Sequence, residues 1–467
     1  MAPSDPSAPD AVPDASAASA RDPERDRLSG RVRRFAQVGA GLAGAGAQLS
    51  ANTLFGGDGA DARNAKALKA ALGNLKGPLM KAAQMFATVP DLLPPEMATE
   101  LAELQTNAPS MGRPFVRRRM AAELGPDWMS RFGNFEFDAA HAASLGQVHR
   151  ATTLDGRRLA VKLQYPDMQS AVESDLGQLR ALIGLFRRLD GSIDPSEMAD
   201  EIGARLREEL DYQREARLMQ LYARFFADRD DIVSPEPIAG LSTHRLLTMT
   251  WLDGAGLLSF KTAPLEVRNR IAGLLFDCWW RSMTHIGVIH GDPHLGNYSL
   301  TPDAEQLNLL DYGCVRIFPP GFVAGVVRLY RGLANDDRDE QFEAYRSWGF
   351  KGLTHDLVDV LNVWARFIYG PLLDDRVRTV ANGVAPGQYG RAEAFKVRQA
   401  LKEKGPVTIP REFVFMDRAA IGLGAAFLHL GAEHNWRALF EASLDGFSEA
   451  GLARRQAEAL SAAGLSG

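Results

Sequence analysis

His290-Gly-Asp292-Pro-His-Leu-Gly-Asn297, followed by Asn308-Leu-Leu-Asp311-Tyr-Gly313, is the stretch on which the reading of this chain turns. An acid with an asparagine five residues later is the spacing of a phosphoryl-transfer catalytic loop, in which the Asp accepts or orients an incoming hydroxyl and the Asn ligates Mg2+. His, Asp and Asn set between Gly and Pro are costly in a helix or strand, so the string marks a loop. Fourteen residues beyond Asn297 a short apolar run ends in Asp311, an aromatic and Gly313. There Asp311 is the expected main metal ligand, bridging phosphate oxygens. An Asp-x-Gly turn at a strand end is commonplace alone; its place after the loop gives it meaning. The two loop histidines have no convincing partner cluster for zinc, and His290 reads as a packing residue behind the loop.

Upstream, Gln147-Val-His-Arg-Ala151 and Arg158-Leu-Ala-Val-Lys-Leu163 flank Asp155-Gly156, two apolar runs joined by a turn and so a β-hairpin. Lys162 on the second strand is placed to hold the α- and β-phosphates of ATP, with the small Ala160 against the adenine. A lysine ending an apolar strand is, by itself, most often a surface residue with a buried stem. A long charged helix is expected over residues 195–226. On it Asp211 and Glu215 are four apart and share a face, with Glu208 and Glu209 a turn earlier. Glu215 is the expected partner of Lys162, although such a stretch alone reads as a solvated helix face. A short strand pair follows, Ile232-Val233 with residues 245–250, and Trp251-Leu-Asp-Gly254 connects onward. Met249, Thr250 and Leu252 are expected to meet the nucleotide there. Beyond, the pattern is mostly helical. A small β-containing lobe (126–254) followed by a larger helical lobe (255–467) is the order of a bilobal α+β fold of the protein-kinase kind.

Bulk properties agree with a folded enzyme. The 467 residues are 46% hydrophobic and 24% charged, enough for a sizeable core. A net charge of −5 gives no signal for nucleic acid. Cys278 and Cys314 build neither a disulfide framework nor a cysteine zinc site, and fit a reducing cytoplasm. Residues 1–30, rich in Ala, Pro, Ser and Asp, read as a disordered tail, without the character of a signal or transit peptide. No stretch approaches the roughly 18 apolar residues of a membrane span. Residues 31–125 read as a helical extension, since Leu68, Leu72 and Leu75, and later Met97, Leu101 and Leu104, recur at three- and four-residue steps. Its Gly39-Ala-Gly-Leu-Ala-Gly44 formally matches a dinucleotide-binding loop but follows no strand. A helix with a small-residue packing face is expected instead, with the Arg31–Arg34 cluster a candidate for peripheral contact with acidic lipid headgroups.

Ahead of the hairpin lies Ala139-Ala-His-Ala142-Ala143-Ser144-Leu-Gly146-Gln147-Val-His149. Alanine replaces the glycines of an ordinary kinase loop, which stiffens it. The stretch resembles the A-A-A-S-I-G-Q-V-H loop of the UbiB/AarF family of atypical kinases, with His141 for the first Ala and Leu145 for Ile. Lys81-Ala-Ala-Gln84 is similar to that family's K-x-G-Q, with Ala83 for Gly, and Glu209-Leu-Asp211 to its E-x-D. Residues 290–297 are similar to its H-x-D-P-H-P-G-N, with Leu295 for the second Pro. The resemblance implies ATP and Mg2+ as cofactors, with Ala142, Ala143, Ser144, Gly146 and Gln147 covering the nucleotide. It implies Asp292 and Lys162 as catalytic residues, and Asn297 and Asp311 as metal ligands. It further implies that the extension folds across the lobes, bringing Lys81 and Gln84 to Glu209 and Asp211 in a regulatory contact that closes the peptide groove. The implied function is an atypical kinase or ATPase supporting ubiquinone or other isoprenoid-lipid metabolism, acting on a small lipid-like substrate or with lipid-pathway proteins. The alternative is a nucleotide-binding pseudoenzyme that regulates such partners.

Overall fold

The computed structural model describes residues 111–142, 145–166, 196–292, 294–384, 390–404 and 410–465, and five single positions between 168 and 176. The expected tail, nearly all of the helical extension with Lys81 and Gln84, and Ala143 and Ser144 of the alanine-rich loop lie outside these residues.

Pro114 in the first turn of α1 (Arg113–Leu124) presets helical φ where no amide partner is needed. A 3-10 turn at Trp128–Arg131 leads to β1 (Asn134–Phe135) and β2 (His141–Ala142). β3 (Gly146–Thr152) and β4 (Arg158–Gln164) form the expected antiparallel hairpin, turning where Gly156 takes a φ of +86°. With β6 on the far side of β4, and β1 and β2 on β3, they make a five-stranded sheet. Trp128, Phe132, Phe135 and Phe137 pack edge to face beside it, and His149 stacks on Phe135 at 5.4 Å. α1 is tied to the same sheet. Arg119 donates to the Tyr165 carbonyl at 3.3 Å, and Glu123 accepts from Arg245 at 2.9 Å and from the Thr243 hydroxyl at 2.6 Å.

Two elements differ from the expected pattern. The single helix over 195–226 is two, α2 (Ser196–Glu209) and α3 (Tyr212–Phe225). The Asp211 carboxylate accepts from the amides of Gln213 and Arg214 at 3.1 and 3.0 Å, capping a new helix rather than continuing the old one. Asp211 and Glu215 therefore do not share one helical face. The strands β5 (Ile232–Val233) and β6 (Leu246–Thr250) do not pair with each other. β6, whose residues 246–249 are buried on both faces, lies antiparallel to β4, and β5 pairs in parallel with β10 in a separate sheet.

After β7 (Ala255–Gly256), α4 (Leu265–Phe276) runs through a π-turn at Asp277–Arg281 into α5 (Ser282–Ile286). The short strands β8 (Val288–His290), β9 (Tyr298–Leu300), β10 (Leu307–Leu309) and β11 (Val315–Ile317) follow. β8 pairs with β11, and β5-β10-β9-β7 form a four-stranded sheet, so this region is less purely helical than its pattern suggested. These strands frame the two loops that carry Asp292 and Asp311. The rest is helix: α6 (Pro320–Ala334), α7 (Arg338–Ser347), α8 (His355–Tyr369), α9 (Arg391–Lys404), α10 (Arg411–Leu430), α11 (Trp436–Ser443) and α12 (Glu449–Ala462). Their core holds an aromatic column in which Trp280 meets Trp279 and Phe440, each at 4.6 Å, and Phe427 meets Trp436 at 4.5 Å. The fold is α+β. Among the described residues no helix is long and apolar enough to cross a membrane.

Candidate active site

Strand pairing decides which side chains face the same way. Val148 stands opposite Lys162 across β3 and β4, and Ala160 stands opposite Met249 across β4 and β6. These four therefore project from one face of the sheet. Lys162 is buried, and its Nζ donates to both carboxylate oxygens of Glu215, at 2.7 and 3.0 Å. Asp311 Oδ2 lies 3.4 Å away on the other side, and the Tyr212 ring lies beneath at 5.2 Å. Burial disfavours the charge, but the Asp311 and Glu215 carboxylates outweigh it and hold the Lys162 ammonium well above its ordinary pKa. Glu215 reaches this position because the Asp211 cap starts α3 one turn before it.

The catalytic-loop string folds as a loop between β8 and β9. His290 is buried with its Nε2 against the Asp311 carbonyl, the packing role its position suggested. Asn297 donates its amide to the Asp292 carbonyl at 2.9 Å, and its own carbonyl accepts from the Leu310 amide at 2.9 Å, which ties the two loops together. Asp311 Oδ1 accepts from the Gly313 amide at 2.9 Å, while the carboxylate remains 40% exposed. An exposed carboxylate and the amide oxygen of Asn297, which has no partner among the described residues, are hard donors on linked loops. They suit Mg2+, which takes one or two protein oxygens together with phosphate and water. Asp292 meets a partner that sequence reasoning missed: Arg418 of α10 donates to its Oδ1 at 2.7 Å.

Other expected residues are more scattered. Gly146 is hemmed in, since a side-chain carbon there would run into the Leu163 carbonyl. Gln147 is fully buried but faces away from Lys162. Its side chain accepts from the Met111 amide at 2.7 Å and donates to the Met111 carbonyl at 3.1 Å, so it holds the chain before α1 rather than joining the Lys162 face. Ala142 is exposed on β2. Thr250 and Leu252 are half-buried at the end of β6 and just past it, and the Thr250 hydroxyl accepts from the Glu236 amide at 2.9 Å. Glu209 ends α2 beside Gly313 and accepts from the Cys314 thiol at 2.8 Å. Asp211 is a cap, 3.3 Å from His244. Val148 was also missed, though the two-residue alternation of the hairpin points to it.

A buried ammonium between two carboxylates, next to a loop acid and an amide oxygen, is an arrangement for gripping a polyphosphate and a divalent cation. The ABC1 atypical kinase-like domain matches residues 103–345, just over half of the sequence, and the chain belongs to that family. It is 30% identical over 297 residues to "Atypical kinase coq-8, mitochondrial" of Caenorhabditis elegans, covering 62% of this chain and 39% of that protein. It is 28% identical over 350 residues to "Atypical kinase COQ8B, mitochondrial" of Rattus norvegicus, covering 72% and 66%. The chain thus spans only part of the length of these relatives. Among solved structures, the Rv3197–erythromycin complex from Mycobacterium tuberculosis aligns with a TM-score of 0.55 at 26% identity, covering 81% of this chain and 95% of that one.

Proposed function

We propose that the chain binds ATP with Mg2+ and acts as an atypical kinase or ATPase. In this reading the five-stranded sheet with α3 is a small lobe, the region from α4 onward is a large one, and residues 251–254 connect them. The observation that carries it is the Lys162 ammonium held by Glu215 beside Asp311, because a kinase site needs its strand lysine, helix glutamate and metal-ligating aspartate in place together. Lys162 takes the phosphate oxygens, and Val148, Ala160 and Met249 offer the adenine an apolar floor. Thr250 and Leu252 border it, and the loop through Ala142, Ala143, Ser144 and Gly146 covers the phosphates. Asn297 and Asp311 would hold Mg2+, which would supply charge neutralisation for the phosphate oxygens. Asp292 orients the acceptor hydroxyl or water.

The family resemblance supports a place in ubiquinone or other isoprenoid-lipid metabolism. It points to a small lipid-like substrate or lipid-pathway protein partners; the two cysteines favour a reducing cytoplasm, and the Arg31–Arg34 cluster offers peripheral membrane contact. In the same reading Lys81 and Gln84 meet Glu209 and Asp211 as a regulatory contact. A second reading, a nucleotide-binding pseudoenzyme, is favoured by one observation: the Asp292 carboxylate is already engaged by Arg418.

Thermal unfolding with and without Mg-ATP tests both, on the wild type, Lys162→Ala and Asp311→Asn. A nucleotide at a hundred times its dissociation constant adds about 2.7 kcal/mol. The expected outcome is a Mg2+-dependent shift in the wild type that both variants lose. An equal shift in Asp311→Asn removes that residue from the site, and no shift in the wild type overturns the nucleotide reading. A shift without ADP release brings the pseudoenzyme forward.

A further inference from the structure

In the five-stranded sheet β2 lies along the outer edge of β3, and β6 is the far edge strand beyond β4. Register puts His141 of β2 opposite Val148, and Val148 opposite Lys162. His141 therefore projects from the same face as Lys162. Two residues along that face, Arg150 stands opposite Ala160, and Ala160 opposite Met249. Trp251, two beyond Met249, continues the alternation, its amide donating to the Arg158 carbonyl at 3.0 Å. The rings of His141 and Trp251 nevertheless meet, with centroids 6.1 Å apart and planes 19° from parallel. Rooted at opposite edges of one face, they touch by reaching across it, over β3 and β4. Arg150, which rises from that strip, lays its guanidinium against the same indole at 4.8 Å.

The two rings are held differently. Trp251 is half-buried, and its Nε1 donates to Asp253 Oδ1 at 3.1 Å. Arg158 donates to the same oxygen at 2.8 Å, and the Asp253 carbonyl accepts from the Asn308 side-chain amide at 2.9 Å. Trp251 and Val148 also pack against the buried cluster that contains Ala160 and Met249. His141 is exposed, on a strand of two residues. An exposed imidazole stacked on a fixed indole, beside an apolar floor, presents aromatic surface of the kind on which bases stack. Where the loop that this stretch resembles has alanine, this chain has the ring.

We propose that the His141–Trp251 pair is the wall against which the nucleobase packs, so that these two residues select a purine. The inference deepens the nucleotide reading above and rests on it. Arg158, to which Trp251 is bonded, lies four residues before Lys162 on β4, about 13 Å along an extended strand. That separation leaves room for a ribose between the phosphates on Lys162 and a base at the paired rings. A purine seated on Val148, Ala160 and Met249 presents two fused rings to the wall, and a pyrimidine only one. A bare polyphosphate on Lys162 does not meet it.

Titration calorimetry with Mg-ATP, Mg-CTP and Mg-tripolyphosphate tests this on the wild type, His141→Ala and His141→Phe. His141→Ala is expected to weaken Mg-ATP binding by about tenfold and to narrow the preference for Mg-ATP over Mg-CTP. Its affinity for Mg-tripolyphosphate stays that of the wild type, which also shows that the variant is folded. His141→Phe keeps a flat ring and is expected to recover most of the loss. An alanine variant that binds Mg-ATP within about twofold of wild type overturns the proposal. So does one weakened equally toward Mg-ATP and Mg-tripolyphosphate, or a phenylalanine variant as weak as the alanine one. A wild type that binds Mg-ATP and Mg-CTP equally keeps the nucleotide reading and sinks the purine selection. A wild type with no affinity for Mg-ATP sinks the nucleotide reading itself.

Discussion

His149 closes a buried chain of hydrogen bonds. Its Nε2 is 2.8 Å from the Gln147 amide nitrogen, its Nδ1 is 2.9 Å from the Glu136 carbonyl, and Gln147 in turn holds Met111. With Gln147 donating, the imidazole is neutral and carries its proton on Nδ1. Burial holds its pKa below the ordinary 6.5. Below pH 6.5 the unfolded chain therefore takes up a proton that the fold refuses, and stability falls as pH drops, by up to about 1.4 kcal/mol per pH unit. The urea midpoint is expected to decline from pH 7.5 to 5.5, with a shallower slope in His149→Gln. An unchanged slope would move the effect to His285, which burial lowers as well. The same neighbourhood shows what a sequence conveys at this scale. Lys162, Asp292, Asn297 and Asp311 were legible because each sits in a motif of fixed spacing. The orientation of Gln147 follows from strand register rather than from the motif around it. Arg418 has no local signal at all, since only the packing of α10 brings it to Asp292.

At the scale of elements, α1 is fastened to the sheet by charge. Glu123 is 6% exposed and answers Arg245 and Thr243, with Arg119 at 3.4 Å on its own helix. Removing one member of a buried pair leaves the other charge uncompensated, at a cost of about 3 kcal/mol. Glu123→Ala is expected to lower the urea midpoint accordingly while leaving the denaturant slope unchanged. A reduced slope would mean that α1 had left the sheet in the native state. Element boundaries were the weakest part of the sequence reading. Charged residues at helical spacing continue across Leu210 and Asp211, and nothing in that pattern reveals that the Asp211 side chain starts a new helix. Likewise, β5 and β6 are near neighbours in sequence, yet burial sends them to different sheets.

At the scale of the molecule, α10 links the loops to the helical core. Two turns in it reaches Asp292 through Arg418, and near its C-terminal end its Phe427 packs on Trp436. Beside Arg418, burial pushes the Asp417 carboxyl up to about 7 from 3.8. The fold thus keeps a proton that the unfolded chain releases. This contribution to stability is complete below pH 3.8 and is lost as pH rises toward 7. Asp417→Asn is expected to raise the melting temperature at pH 8, by an amount worth on the order of a few kcal/mol, and to leave it unchanged at pH 3. Equal melting temperatures at both pH values would show that Asp417 titrates normally. The order of a sheet followed by helices was legible because the apolar period switches along the chain. How the late helices pack was not, because contacts among distant aromatics leave no mark on local spacing. The positions of the seven tryptophans also divide the light this protein emits. Trp279, Trp280, Trp348, Trp364 and Trp436 belong to the helical part and Trp128 sits behind the sheet, whereas Trp251 alone stands between β6 and β7, under the Arg150 guanidinium at 4.8 Å. Intrinsic fluorescence is therefore chiefly a gauge of helical packing, and a chain keeping Trp251 as its single indole would turn it into an optical reporter of the stretch between β6 and β7.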